Sequence, residues 1–378
     1  MKNSNFMRIL FISRAFPPIT GGIENQNAAL AEWLPKHATV RTLANHGGKA
    51  ALPFFTIRTF FLGLFLIPKY DVVLLGDGVL APLGFAFRVF FWKKTIAVVL
   101  HGLDLTFATK KGFLSTLYRF MNIPCLKTFN LYIPVSQETL DTAVKVGLSR
   151  EKCVVINNGI DPATLSGNFT RSDLATFLGV DLTNKSVIVR VGRYVKHKGN
   201  EWFIRNVMPL LLDNVILITA GAVVKKSTPG DADIYPACQA AVTELGLEKR
   251  VKLLTNLPWE KIKLLYHTAD IVVSPNIVVP GTMEGFGISV IEAALCGRPV
   301  IASNLQGLKD AIIQDENGLL VEPGNTLGWS GAISMLLENE HARLDLGQRA
   351  STYTREHYHW QIISQKYVDT LARIVKHS

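Results

Sequence analysis

The strongest constraint on the fold is a rhythm. Short, almost wholly apolar runs stop at a glycine or polar turn and are followed by helical stretches. The first half holds 9-ILFI-12, 70-YDVVLLGDG-78, 95-TIAVVLHG-102, 131-LYIPVS-136 and 153-CVVINNG-159. Strands that are apolar at nearly every position are buried on both faces, which implies a parallel sheet covered by helices. The rhythm fails across the polar, Gly/Pro-punctuated stretch 160–185. It restarts with 186-SVIVRVGR-193, 214-NVILITAGA-222, 250-RVKLLT-255, 270-DIVVSPN-276 and 298-RPVIAS-303.

Two α/β, Rossmann-like domains are therefore expected, 1–170 and 171–355. The amphipathic tail reads as one terminal helix whose part from about 356 to 378 packs back on the first domain. A chain of 378 residues is long enough for two cores. Open parallel sheets bind ligands outside the carboxyl ends of their strands, where all these turns lie, so an interdomain cleft is the expected site.

Charge separates the halves. Residues 1–170 carry 18 Lys and Arg against 9 Asp and Glu, whereas 171–378 carry 22 against 21. A basic surface on the first domain fits anionic lipid or an anionic acceptor, or is plain solubilising charge. The segments 54–70 and 85–94 mix aromatics with cations, as a peripheral membrane contact would, although both also read as core. The most apolar window, 59–68, lies between Arg58 and Lys69 and is too short to span a bilayer, so no transmembrane helix is expected. Nucleic-acid binding is not expected, because the aromatics lie in apolar runs. Four scattered cysteines without metal-ligand spacing suggest a reducing cytoplasm.

Chemistry concentrates in two stretches. In 189-VRVGRYVKHKGNEWFI-204 a strand ends at Gly192, and Arg193, Lys196 and Lys198 precede a helix. Cations there suit a diphosphate; a solvated basic turn is the alternative. In 279-VPGTMEGFGISVIEAALCGRPV-300, a helix from about Gly287 leaves the amides of Phe286, Gly287 and Ile288 free at a positive dipole end. Glu284 stands before that helix and Glu292 inside it, too far apart for an acid–base couple on one face. Each either accepts from a different hydroxyl of one elongated ligand, or plays a plain part: Glu284 as a dipole-stabilising charge, Glu292 as a solvent-facing residue.

The stretch EGFGISVIEAALCGRPV resembles the E-x7-E signature of retaining glycosyltransferase family 4, which has the two-Rossmann GT-B fold and includes bacterial surface-polysaccharide enzymes. VGRYVKHKG is similar to that family's strand–Arg–x4–Lys-Gly turn. PPITGGIE, 134-PVSQET-139, 154-VVINNGID-161 and 317-NGLLVEPGN-325 follow in family order. The resemblance implies that Arg193 and Lys198 bind the diphosphate of a UDP- or GDP-sugar, with Glu292 on the ribose hydroxyls. Glu284 would contact the transferred sugar, near the amides of Phe286 and Gly287. Gly21 and Gly22 would leave room for phosphate and sugar, and His101 would lie against the sugar, with Asp104 a weaker companion.

It implies transfer to a glycan or polyprenyl-diphosphate-linked glycan, with retention by front-face attack and with no cofactor or metal. Asp231 and Asp233, which loosely resemble a metal motif, read as loop. Gln306 and Asp310 in 306-QGLKD-310 depart from the family's frequent Gly-Gly…Glu, and Gly221-Ala222 lacks a second glycine. A nucleotide-sugar epimerase and a catalytically silent membrane- or partner-binding subunit are the alternatives. The expected place is the cytoplasm, at the inner face of the membrane.

Overall fold

The computed structural model describes residues 7–19, 21–109, 112–223 and 233–376. They fall into two units, Met1–Gly159 with Trp360–Ser378, and Ile160–His359. Asp231 lies outside the described residues.

The first unit runs β1 (Arg8–Ser13), α1 (Gly22–Trp33), β2 (Thr39–Ala44), α2 (Gly48–Leu66), β3 (Val72–Leu75), α3 (Ala81–Phe90), β4 (Thr95–Leu100), α4 (Leu103–Thr109), α5 (Phe113–Leu126), β5 (Leu131–Pro134) and α6 (Gln137–Lys145). Its five strands are all parallel, in the order β2-β1-β3-β4-β5. Every residue of β3, β4 and β5 is buried, as their unbroken apolar runs require. The direction of winding reverses between β1 and β3.

Two expectations change here. The run 153–159 forms no strand: Val154 and Ile156 donate amide hydrogens to Tyr132 and Pro134, but the only pairing with β5 is an isolated bridge at Cys153. The fifth strand is instead β2, a half-exposed edge strand. Secondly, Gly48–Lys69 is one continuous helical stretch, long and apolar enough to cross a membrane by length and composition. Arg58, which bounded the apolar window on its N-terminal side, lies inside the helix, as does Pro53.

The second unit runs α7 (Arg171–Leu178), β6 (Ser186–Val191), α8 (Asn200–Asn206), β7 (Val215–Gly221), α9 (Tyr235–Glu244), β8 (Val251–Thr255), α10 (Trp259–Thr268), β9 (Ile271–Ser274), α11 (Ile288–Leu295), β10 (Val300–Ser303), α12 (Leu308–Ala311), β11 (Leu319–Val321), α13 (Thr326–Glu338) and α14 (Glu340–Tyr358). Six parallel strands take the order β11-β10-β9-β6-β7-β8, with the reversal between β6 and β9. An opening forms at such a reversal because successive crossovers leave toward opposite sides.

The unit boundary is at Gly159/Ile160, earlier than 170/171. Ile160 donates to the Tyr358 carbonyl, and Trp259 and His267 hold the carbonyls of Thr164 and Leu165, so the irregular segment after 160 is tied to the second unit. The expected single terminal helix is two. His359 turns extended and bridges to Ile160, ending α14; α15 (Trp360–Lys376) then packs on α1 and β4 of the first unit.

Candidate functional site

In the second unit, the turns after β6 and β9 meet at the reversal of the sheet. After β6 the chain passes Gly192 and exposed Arg193, then makes a short 3-10 turn, Lys196–Lys198. That turn ends at Gly199, whose φ of 72° is left-handed and whose Cα lies against the Pro275 carbonyl, so a side chain is excluded twice. The result delivers Lys198 across to the β9 turn, where its Nζ forms an ion pair with Glu284 Oε2. Asn276 Nδ2 donates to the same oxygen at 2.9 Å.

Burial alone would raise the Glu284 pKa. The Lys198 charge and hydrogen bond, with His197 and Asn276, outweigh it and hold the carboxyl down to about 2. The Lys198 ammonium is pushed below its ordinary value, chiefly by burial. Glu284 is thus ionised and fixed through one oxygen. Its Oε1 has no hydrogen-bond partner among the described residues.

Beneath the pair is Arg190 on β6, 1% exposed. Its Nη2 donates to the Lys198 carbonyl at 3.1 Å, which steadies the 3-10 turn from behind. Burial lowers its pKa to about 10, so it keeps its charge at neutral pH.

Gln306 explains the departure from the glycine pair. Its Oε1 accepts the Glu284 amide hydrogen at 2.7 Å and its Nε2 donates to the Thr282 carbonyl at 3.2 Å. It does so with φ 49°, unusual for a residue with a side chain. The neighbouring Gly307 lies against the Gly285 carbonyl and Phe286 amide, where a Cβ would collide. Asp310 offers its carbonyl to the Tyr358 hydroxyl at 2.6 Å.

Helix α11 opens from Gly287, at φ 91°. The N–H groups of Phe286, Gly287 and Ile288 have no hydrogen-bond partner among the described residues. Phe286 itself is buried, its ring edge-on to Tyr358 at 5.5 Å. Further along α11, Glu292 is half-buried rather than solvent-facing, and accepts from the Tyr266 hydroxyl at 2.8 Å. Burial raises its pKa to about 7, with the Tyr266 bond pulling the other way. The two carboxylates therefore differ: the Glu284 pKa is held down to about 2 and the Glu292 pKa is raised to about 7.

The first unit has its own polar cluster at the carboxyl ends of β1, β3 and β4. His101 Nε2 donates to the Gly76 carbonyl at 2.9 Å, which fixes the tautomer. Asp104 is buried, and its Oδ2 accepts the Gly78 and His101 amide hydrogens at 3.0 and 3.4 Å. Gly21 and Gly22 start α1 at the same edge, and Gly22 faces open space. Fully buried Asp77 bonds Arg14 Nε at 2.9 Å; burial raises its pKa against the pull of Arg14.

Sequence reasoning named Arg193, Lys198, Glu284, Glu292, Phe286, Gly287, Ile288, Gly21, Gly22, His101 and Asp104. It missed Arg190, Tyr266, Asn276, Arg14 and Asp77. The signal for Arg190 was present as a charge inside an apolar strand. Among the described residues no three His, Cys, Asp or Glu converge in a metal-holding group.

Residues 180–353 match the family model for Glycosyl transferases group 1. D-inositol 3-phosphate glycosyltransferase of Corynebacterium aurimucosum is 30% identical over 233 residues, covering 60% of this chain and 52% of that protein. The chain thus spans about half the length of that curated relative. The N,N'-diacetylbacillosaminyl-diphospho-undecaprenol alpha-1,3-N-acetylgalactosaminyltransferase of Campylobacter jejuni is 27% identical over 279 residues, or 72% of this chain and 69% of that one. Among solved structures, Anabaena HepE in complex with UDP-glucose superimposes with a TM-score of 0.75 at 21% identity, covering 97% of this chain and all (100%) of that chain. The fold of each unit and their succession are those of GT-B proteins.

Proposed function

We propose that the chain is a retaining glycosyltransferase that moves a sugar from a nucleoside-diphosphate sugar to a hydroxyl of a glycan or polyprenyl-diphosphate-linked glycan. One observation carries the reading: at the sheet reversal of the second unit, Lys198 from the turn after β6 pairs with Glu284 from the turn after β9, Arg193 is close enough to influence the Lys198 charge, and the free amides of α11 follow directly, with Glu292 further along that helix.

The chemistry follows from charge. Cleaving the sugar–phosphate bond leaves negative charge on the nucleoside diphosphate. Arg193, Lys198 and the α11 N-terminus stabilise that charge more in the transition state than before it, and need no metal to do so. Glu292 accepts from the ribose, and Glu284 presents Oε1 to the sugar hydroxyls while Lys198 and Asn276 hold Oε2. In the first unit, His101 contacts the sugar and Gly21-Gly22 leaves space for donor. The leaving phosphate accepts the acceptor's proton on the same face, giving retention. The Campylobacter relative's name supports a lipid-linked acceptor, and the HepE complex supports UDP. We place the reaction in the cytoplasm.

A thermal-shift series with UDP, GDP and ADP, followed by assay of slow donor hydrolysis in chelator, tests this. A rise in melting temperature with one nucleotide, and chelator-resistant hydrolysis of its sugar conjugate, is expected. No response to any of the three would overturn it.

A further inference from the structure

Helix α2 is apolar on two opposite stripes. One, Phe55, Thr59, Gly63 and Leu66, is buried. The other, Phe54, Ile57, Phe61 and Phe65, is 71%, 60%, 57% and 74% exposed. Spacings of three and four residues put each set on a single face. The exposed stripe continues onto α3, because Phe60 contacts Phe61 at 5.5 Å and Phe90 at 5.7 Å, and Phe90 is also exposed. Just beyond α3 stands exposed Trp92, with Lys93 Nζ 4.9 Å from its ring centroid.

The charges here have one sign. Residues 47–70 and 79–103 contain no Asp or Glu, but hold Lys49, Arg58, Lys69, Arg88, Lys93 and Lys94. Lys49, Arg58 and Lys69 are exposed at the start, middle and end of the α2 stretch. Aromatic and aliphatic side chains bordered by long cations suit the boundary between lipid headgroups and acyl chains, where the rings bury and the cations reach anionic phosphates. A solitary apolar patch would suit a protein partner equally; the six cations of these two segments, against a nearby Asp71 that is already paired with Arg8, favour an anionic lipid surface.

We propose that this face of α2 and the end of α3 dock the first unit onto an anionic phospholipid bilayer, with α2 lying in the membrane plane. Although α2 is long enough to cross, its other stripe is part of the unit's core. Gly63 lies so close to the Phe87 ring that a Cβ would collide, and leaving that seat would uncover Phe87 and Phe55. The inference rests on this surface alone, not on the proposed reaction.

The test is flotation of the full chain with phosphatidylcholine vesicles, with and without phosphatidylglycerol, at low and high salt. Binding should require phosphatidylglycerol and weaken with salt. The triple variant Phe54→Ser, Phe61→Ser, Phe65→Ser should lose roughly tenfold or more of it at an unchanged melting temperature. Arg58→Gln with Lys69→Gln should reduce the dependence on phosphatidylglycerol, and brominated lipid should quench fluorescence that Trp92→Phe removes. Absence of vesicle binding by folded protein at low salt overturns the proposal. So does salt-insensitive binding that resists alkaline extraction, which means a spanning helix. Self-association abolished by the triple variant, without lipid binding, would assign the face to a second copy.

Discussion

In the second unit Lys198 and Glu284 are withdrawn into an ion pair and Glu292 is folded against Tyr266. In the first, four large apolar side chains of one helix are left facing out. The sheets are built alike and both units bury charge, as Asp77 and Asp104 do in the first, but the first also leaves an aromatic stripe along one helix facing out. Both arrangements oppose what stability alone favours: a buried ion pair loses hydration, and an exposed aromatic stripe gains no burial. Each feature carries one of the two proposals made above. The polarity of each is the ground of its proposal, a charged small molecule for the second unit and an anionic lipid surface for the first.

Removing one member of the buried pair should have the largest effect. Lys198→Ala leaves the Glu284 charge uncompensated and should cost about 3–5 kcal/mol in denaturant unfolding. Adding Glu284→Gln should restore part of it. No recovery in the double variant would mean that the pair's role in stability has been misread.

The two glutamates should then separate by pH. The folded-state pKa of Glu292 is raised from 4.5 to about 7. Its contribution is therefore full below about 4.5 and drains away as pH rises through about 7, amounting to about 3 kcal/mol at most. Glu292→Gln should flatten that slope in melting temperature against pH. Glu284, lowered from 4.5 to about 2, works in the opposite sense: its contribution is present above about 4.5 and lost as pH falls toward about 2. Glu284→Gln should leave the neutral range unchanged in slope.

Two glycines sharpen the contrast between the units. Gly199→Ala, at φ 72° against the Pro275 carbonyl, should destabilise by roughly 1–3 kcal/mol. Gly22→Val faces open space, so it should leave the melting temperature alone and impair only donor use. Gln306→Ala, milder than Gly199→Ala, removes the acceptor for the Glu284 amide. It should cost about 1 kcal/mol and lower the transfer rate more than donor affinity.

The interior strands were legible because burial on both faces leaves an unbroken apolar run. β2 was not, since an edge strand is half-exposed and Thr39, Arg41 and Thr42 interrupt it. β11 is three residues long, too short to announce itself. The full length of α2 was not legible because Arg58 interrupts its apolar run, a charge that a surface helix carries without ending. Within the site, residues in glycine-marked turns could be named from sequence. Their supports could not, because Lys198 and Glu284 are 86 positions apart and Tyr266 and Glu292 are 26 apart. Gln306 could be seen only as a departure; its hydrogen bonds to Glu284 and Thr282 supply its role.

The central claim is that the opening of the second unit holds a nucleoside diphosphate. Arg193 tests it most cleanly, because it is exposed and its guanidinium makes no hydrogen bond or ion pair among the described residues, only its carbonyl accepting from the Val195 amide. Calorimetric titration of the nucleotide selected by thermal shift into wild type and Arg193→Ala should show affinity lower by roughly tenfold or more in the variant, at an equal melting temperature. Equal affinities in the two proteins would contradict the account.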